Sequence, residues 1–193
     1  RSAGIVIDWD DFNDLSKVVP LLARVYPNGQ ADINHFHAAG GTTLLFSQLL
    51  ENGLMHNDAN SIWGDNFASS LREPVLLEGE LHWRPSVVRS LDTDVIAAIE
   101  EPFDQEGGLR LLQGNLGRGV IKVSAVAAEH RVVTGPAVVI ADQDALQEKF
   151  AAGELDKDCV VVVRFQGPKA NGMPELHKLT PLLGSLQSRG FNV

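Results

Sequence analysis

The stretch that decides the fold is VVVVRFQGPKANGMPELHK, residues 160–178. Four consecutive valines are typical of a strand that is buried on both faces. A loop rich in Gly, Pro and charge follows them, and Pro174 suits the first position of a helix. Leucines then recur at helical spacing up to Gly190, and the residues FNV are typical of the start of another strand. The pattern predicts a β-loop-α-β unit in which Pro181 kinks or splits the helix.

The position of this loop makes it the candidate site. In such units, ligands bind at the carboxyl ends of the strands, beside the N-terminus of the following helix. Residues 166–175 fall at that place, and Gly167 and Gly172 permit a close approach to the backbone. The residues after Gly172 are not the Lys and Ser or Thr of a Walker A loop, so nucleotide binding there is excluded. Lys169 is either an anion contact or an ordinary solvated lysine, and both interpretations stay open.

Few side chains are candidate metal ligands. Glu175 lies in the first turn of the predicted helix, where a carboxylate favours the helix dipole. A carboxylate is also the ligand type that Mg²⁺ prefers, although no second one stands at close spacing. His35 and His37 would share a face only on a strand, so we interpret them as structural or solvated histidines. Cys159 opens the valine strand and is interpreted as a packed thiol.

The composition is that of an ordinary globular protein, with 193 residues, of which 44% are hydrophobic and 21% charged. A net charge of −9 argues against non-specific nucleic-acid binding. A single cysteine excludes an internal disulfide and fits a reducing, cytoplasmic setting. No apolar run approaches the length of a membrane span. The chain begins without Met and ends on strand-like residues, so we expect a fragment of a longer protein.

The remaining patterns change character near Gly114. Before it, we predict a helix over residues 14–29 and a helix of about three turns within residues 33–55, capped by Gly53. After it, Val-rich runs predict strands, and a short helix is predicted to begin at Asp144. The Gly-rich run GNLGRG that starts at Gly114 is either an anion-binding loop or a domain-boundary turn.

Several segments together resemble the dihydroxy-acid and sugar-acid dehydratase family. The segments are YPNGQADINHFHAAGG (26–41), WRPSVVRSLDTDVI (83–96), GNLGRGVIKVSAV (114–126) and DCVVVVRFQGPKANGMPELHKLTPLLGSLQSRGFNV (158–193). The motif GPK…GMPE is highly specific to that family. The NHF form before AAGG points to the phosphogluconate branch rather than the branched-chain amino-acid branch. The resemblance extends over essentially all of the chain.

The resemblance implies an α/β fold in three parts. Residues 1–66 would end an N-terminal α/β domain, and residues 67–113 would form a connecting region. Residues 114–193 would form the first part of a C-terminal β-barrel-like domain with flanking helices. The family also implies a homodimer that acts on a small sugar acid. From the charge, the single cysteine and the absence of a long apolar run, we expect a cytoplasmic protein without nucleic-acid or membrane partners.

The resemblance also implies a chemistry. The full-length enzyme would be a lyase of the Entner–Doudoroff pathway that dehydrates 6-phospho-D-gluconate to 2-keto-3-deoxy-6-phosphogluconate. It would use Mg²⁺ and an iron–sulfur cluster, expected to be 4Fe–4S. Glu175, at the end of GMPE, matches the family's Mg²⁺-ligating glutamate. Gly167, Pro168 and Lys169 would shape the loop that presents it. Asn115, in the GNLGRG run, is a further candidate residue of the substrate or active-site loop.

Two parts of the family's machinery match no residue here. The cluster cysteines belong to N-terminal motifs, and Cys159 corresponds to none of them. The proposed catalytic base, a serine, would lie beyond Val193. We therefore expect the chain alone to be inactive. The alternatives are a non-catalytic sugar-acid-binding or lid domain, and a dehydratase for another sugar acid or dihydroxy acid.

Overall fold

The computed structural model describes residues 2–167 and 177–193. The chain divides into two compact units, Arg1–Val126 and Ala127–Val193. Each unit combines helices with short pairs of strands, so the mixed α/β class predicted from the sequence is confirmed at that level. The predicted domain boundaries at residues 66 and 113 stay a prediction.

The described part of the first unit contains three α-helices: α1 (Trp9–Val18), α2 (Ile33–Ala38) and α3 (Gly41–Glu51). Helix α3 has 11 residues and is followed by Gly53 at a φ of +70°, which confirms the predicted helix of about three turns. No helix in the described ranges is long and apolar enough to cross a bilayer.

Helix α1 shows that the helix predicted over residues 14–29 is wrong. The helix begins earlier because Asp8 caps it, accepting hydrogen bonds from the backbone N–H groups of the two residues that follow Trp9. It ends before Pro20, because proline has no N–H and disfavours helical geometry in the preceding residue. Residues 22–24 are instead tied to residues 95–97 by backbone hydrogen bonds, including one of 2.8 Å from Ala97 N–H to the Leu22 carbonyl, and Leu21 pairs with Asp104.

Two antiparallel hairpins complete the first unit. Strand β1 (Arg72–Leu77) pairs with β2 (Glu80–Pro85), and β3 (Leu109–Gly114) pairs with β4 (Gly117–Lys122). A cluster of buried apolar residues holds α2, α3 and the 95–97 segment together: Ala39, Leu44, Val95 and Ile96.

The second unit is built on a parallel pair of strands. Strand β5 (Ala137–Ile140) pairs with β6 (Val160–Val163), and α4 (Gln143–Ala151) connects them. Helix α5 (Leu179–Ser188) follows. The leucines of both helices bury one face of the strand pair in a shared core of Ile140, Leu146, Leu155, Leu179 and Leu186.

One of three sequence predictions for this unit is wrong. The valine strand is covered on one face only: Val161 and Val163 pack on the core, whereas Val160 is 37% exposed. Pro181 is the third residue of α5, where an N–H has no partner within the helix. The helix predicted from Pro174 includes residues outside the described ranges, so its kink or split at Pro181 stays a prediction. Helix α4 begins at Gln143, so Asp144 lies in its first turn as predicted, and the side chain of Asp142 caps it.

Candidate functional site

The predicted loop leaves β6 at the carboxyl end of the parallel strands. Gly167 is exposed and follows β6 after three residues. Because β5 runs parallel to β6 and leads directly into α4, the N-terminus of α4 lies at this same end of the strand pair. The other predicted residues of the loop, Pro168, Lys169 and Glu175, lie outside the described residues, so their roles stay predictions.

Both described ends of the loop are attached to the start of α4. On the outgoing side, the side chain of Gln166 donates to the carbonyl of Ala141 at 3.4 Å. On the returning side, the backbone N–H of Lys178 donates to Gln143 Oε1 at 3.0 Å. Lys178 Nζ also donates to Asp144 Oδ1 at 2.6 Å. The described residues on either side of the loop are therefore held beside a helix N-terminus, where anionic groups are favoured.

Sequence reasoning missed these contacts. Asp144 lies in the first turn of α4, as the sequence predicts, and its carboxylate also pairs with Lys178. The hydrogen bond and the charge of Asp144 raise the pKa of the Lys178 amine, so Lys178 stays protonated. No local signal predicts such a pair, since 34 positions separate its members.

Phe165 turns the chain out of β6. Its φ of +60° is uncommon for a residue other than glycine, and its side chain is 69% exposed. The guanidinium of Arg164 lies 4.9 Å from the centroid of the Phe165 ring. Backbone positions of this kind cluster at ligand-binding sites, so the bend supports residues 166–175 as the candidate site.

Asn115 lies in the tight turn between β3 and β4. The turn closes with Gly117 at a φ of +115°, which a side chain would strain. Beyond it, Arg118 Nη2 donates to Asp10 Oδ1 at 2.6 Å, and this contact raises the pKa of Arg118. The GNLGRG run is thus a hairpin turn attached to α1. Asn115 is exposed, and its role as a site residue stays a prediction.

The other candidate ligands have structural roles. His35 Nδ1 lies 2.8 Å from Asp32 Oδ1, within the cap of α2, as the structural interpretation predicts. His37 is exposed two positions further along the same helix, so it points away from His35. Cys159 is completely buried, and burial raises the pKa of its thiol, which confirms a packed thiol. Across residues 2–167 and 177–193, no three Asp, Glu, His or Cys side chains are arranged to hold a metal ion.

The cap of α2 predicts an acid-sensitive contribution to stability. Hydrogen bonds from the backbone and the ring of His35 lower the pKa of Asp32 to about 2. A lowered pKa in the folded state means that the carboxylate stabilises the fold above about pH 4 and loses this effect as pH falls towards 2. Asp32→Asn keeps a capping oxygen but has no charge to lose. We expect the difference in unfolding free energy between wild type and Asp32→Asn to shrink between pH 4 and 2 in urea titrations. A carboxyl midpoint at the ordinary 3.8 for Asp32 in an NMR titration would contradict this.

Comparison with known proteins places the whole chain among one group of enzymes. The family model described as "Dihydroxy-acid/6-phosphogluconate dehydratase C-terminal" matches residues 94–193. The corresponding N-terminal model matches residues 1–70. This chain therefore contains residues that match both the N-terminal and the C-terminal model of one family.

Individual relatives agree with the family models. The chain is 58% identical to a phosphogluconate dehydratase of Pseudomonas aeruginosa and 57% identical to one of Escherichia coli K12, in each case over 100% of this chain and 32% of the relative. It is 32% identical to a dihydroxy-acid dehydratase of Caldanaerobacter subterraneus, over 96% of this chain and 32% of the relative. The chain therefore spans about a third of the length of the curated relatives it matches.

Proposed function

Because the chain belongs to the dihydroxy-acid/6-phosphogluconate dehydratase family, we propose that it is part of a hydro-lyase that dehydrates 6-phosphogluconate. The product would be 2-keto-3-deoxy-6-phosphogluconate. The observation that carries this proposal is a difference in sequence identity within the family. The chain is 57% and 58% identical to two phosphogluconate dehydratases but 32% identical to a dihydroxy-acid dehydratase over almost the same residues.

The reaction removes a proton from C2 and the hydroxyl from C3 of the sugar acid as one molecule of water. The enol that remains then tautomerises to the 2-keto acid. The role that we assign to this chain in the reaction is to position Mg²⁺. Glu175 would hold Mg²⁺, which when bound supplies the charge that binds the substrate carboxylate and C2 hydroxyl. Lys178 would support this arrangement by fixing the returning end of the loop to Asp144.

The proposal includes two groups, Mg²⁺ and an iron–sulfur cluster. Glu175 is the one Mg²⁺ ligand that we assign, and its carboxylate is of the right chemical type. Cys159 does not fit a cluster ligand, because a ligand is a thiolate at the metal and this thiol is buried with a raised pKa. We therefore derive no step through the cluster, and we assign its cysteines and the serine base to other parts of the full-length protein.

We also propose the wider architecture on the strength of family membership. The β5–β6 pair and its two helices would begin a C-terminal β-barrel-like domain. The exposed face of this pair, where Val139 is 53% exposed, is consistent with further strands or helices packing there. The full-length protein would be a cytoplasmic homodimer.

Activity of the full-length protein tests the proposal. The protein would be purified anaerobically with Mg²⁺ and assayed for 2-keto acid formation from 6-phosphogluconate, gluconate and 2,3-dihydroxyisovalerate. We expect turnover of 6-phosphogluconate with a kcat/KM at least about 100-fold above that of either competitor, because an active site that hydrogen-bonds the phosphate of its substrate would leave polar groups unpaired with a substrate that lacks it.

Each other outcome has a definite meaning. Preference for gluconate or for the dihydroxy acid would overturn the proposed substrate and leave the family unchanged. Binding of 6-phosphogluconate without turnover, in protein with a full complement of iron and sulfide, would favour a non-catalytic sugar-acid-binding domain.

A further inference from the structure

Helix α1 lies along the outer edge of strand β3. Hydrogen bonds alternate along an antiparallel hairpin, so every second N–H of β3 points to β4. The N–H groups of Leu109 and Leu111 point to the opposite edge, and side chains of α1 bind both. Leu109 N–H donates to Ser16 Oγ at 3.1 Å. Leu111 N–H donates to Asn13 Oδ1 at 3.2 Å. Polar side chains of α1 thus take the place that another strand would have on this edge.

The contact between α1 and the hairpin continues as far as the turn. Arg118 follows the turn directly in β4, and its Nη2 donates to Asp10 Oδ1 at 2.6 Å. Asp10, Asn13 and Ser16 are spaced three residues apart, so they lie along one side of the helix. These three side chains therefore hold the hairpin at three places, from the start of β3 to the turn.

The base of the hairpin fits closely against the same part of the chain. Ser16 is only 8% exposed. A Cβ at Gly107 would lie 2.7 Å from Ser16 Oγ and 3.1 Å from the Val19 carbonyl oxygen, so α1 can approach this closely because residue 107 is glycine. Just beyond β4, Ser124 Oγ donates to Asn28 Oδ1 at 3.1 Å. Both ends of the hairpin are thus attached to residues before position 30.

These attachments join segments that match two different family models. Residues 1–70 match the N-terminal model, and residues 94–193 match the C-terminal model. The first compact unit nevertheless extends from Arg1 to Val126, so it includes the first part of the C-terminal match, with the whole β3–β4 hairpin. Helix α1 is therefore placed to fix the hairpin within this unit.

We propose that Asp10, Asn13 and Ser16 are positioning residues for the proposed dehydration. They hold the turn between β3 and β4, and with it the exposed amide of Asn115, in the place where this amide contacts the sugar acid. The amide both donates and accepts hydrogen bonds, which suits the hydroxyl and carboxylate groups of such a substrate. A binding group needs rigid support, because a displacement of about 1 Å weakens its contacts strongly. This inference rests on the proposed function and on Asn115 as a residue of the substrate loop.

Steady-state kinetics of the full-length protein test the positioning role. Asp10→Asn removes the charge that pairs with Arg118. We expect KM for 6-phosphogluconate to rise at least about 5-fold while kcat stays within about 2-fold, because a displaced binding group weakens the binding of substrate and transition state alike.

Asp14→Asn is the matched control on the same helix. Asp14 pairs with Lys17 of α1 at 3.0 Å, and Asn at this position keeps an oxygen that can accept from Asn13. Its KM is expected to stay within about 2-fold of wild type, as is usual for surface substitutions. An equal rise in KM in Asp14→Asn and Asp10→Asn would overturn the inference, because the loss of any carboxylate on α1 would then explain it.

Two combined variants separate positioning from a general loss of stability. Exchanging the charges, in Asp10→Arg with Arg118→Asp, is expected to return KM to within about 3-fold of wild type, because the ion pair forms again. In an Asn115→Ala background, Asp10→Asn is expected to change KM less than about 2-fold, because the group that it positions is gone. Full additivity of Asp10→Asn and Asn115→Ala would overturn the inference.

Amide hydrogen exchange on the full-length protein, resolved by residue, tests the attachment without activity. Asn13→Ala removes the oxygen that binds Leu111 N–H, so exchange at Leu111 is expected to become at least about 5-fold faster. Leu112 N–H points to β4 and is the internal control, with an expected change of less than about 2-fold. Unchanged exchange at Leu111 would overturn the attachment and the inference with it.

The outcomes also separate this inference from the function on which it rests. An active wild type whose KM is unchanged in Asp10→Asn and Asn13→Ala would overturn the positioning role alone. A wild type that turns over none of the three substrates would overturn the proposed function, and the positioning role with it. If the wild type prefers gluconate or the dihydroxy acid, the same variants are compared with that substrate under the same criteria.

Discussion

Replacing Glu175 by Gln is expected to lower the rate of 6-phosphogluconate dehydration by the full-length protein at least about 100-fold at limiting Mg²⁺. The substitution keeps the size of the side chain and removes the charge that a hard cation prefers. Loss of residues that only support a metal ligand already weakens metal affinity or activity by about 10–100-fold, so loss of a direct ligand has at least that effect. Excess Mg²⁺ is expected to restore part of the rate, because the defect is one of affinity.

The matched control for this experiment is Glu154→Gln in the same unit. Glu154 is exposed and pairs with Lys149 at 2.7 Å, so its carboxylate has a partner of its own and no role at the loop. It is expected to leave turnover within about 2-fold of wild type, as surface substitutions usually do. Unchanged turnover in Glu175→Gln would return this residue to the role of a helix-start carboxylate that complements a helix dipole. The proposed reaction would survive that result.

Replacing Gly40 by Ala is expected to destabilise the first unit by about 3 kcal/mol, combining backbone strain with a clash in the core. Gly40 has a φ of +128°, a region that residues with a Cβ rarely adopt. A Cβ at this position would lie 2.5 Å from Leu44 Cδ2 and 3.0 Å from Val87 Cγ2. Leu44 is itself buried in the core, so it has little freedom to move.

Gly53→Ala separates the two causes of this effect. Gly53 also has a positive φ, of +70°, but an added Cβ would meet nothing within 4 Å. We expect Gly53→Ala to destabilise the first unit by about 1 kcal/mol, since only the backbone penalty applies. Urea unfolding followed by tryptophan fluorescence measures both, because all three tryptophans lie in the first unit. Equal losses of unfolding free energy in Gly40→Ala and Gly53→Ala would show that the contact with Leu44 does not contribute to the destabilisation.

Local patterns predicted several elements correctly, and the reasons are physical. Helix α3 combines leucines at helical spacing with a glycine at its end, and both signals act within a few residues. Strand β6 was predicted from its valines alone. The prediction of a helix over residues 14–29 was wrong because the apolar residues after Pro20, taken alone, have a spacing typical of a helix. Their backbone instead pairs with residues 95–97, far along the chain.

The sequence by itself determined the family, because motifs such as GPK…GMPE are short and local. It also determined the mixed α/β class and the place of the candidate loop, because the order of strand, loop and helix follows from patterns of neighbouring residues. The tertiary structure alone decided that Val161 faces the core while Val160 does not, that Lys178 pairs with Asp144, and that Asn13 binds the backbone of Leu111. Each of these depends on groups brought together from more than 30 positions apart, or on which helices cover a sheet. Local propensity carries no information about such contacts, since they arise only when the core forms.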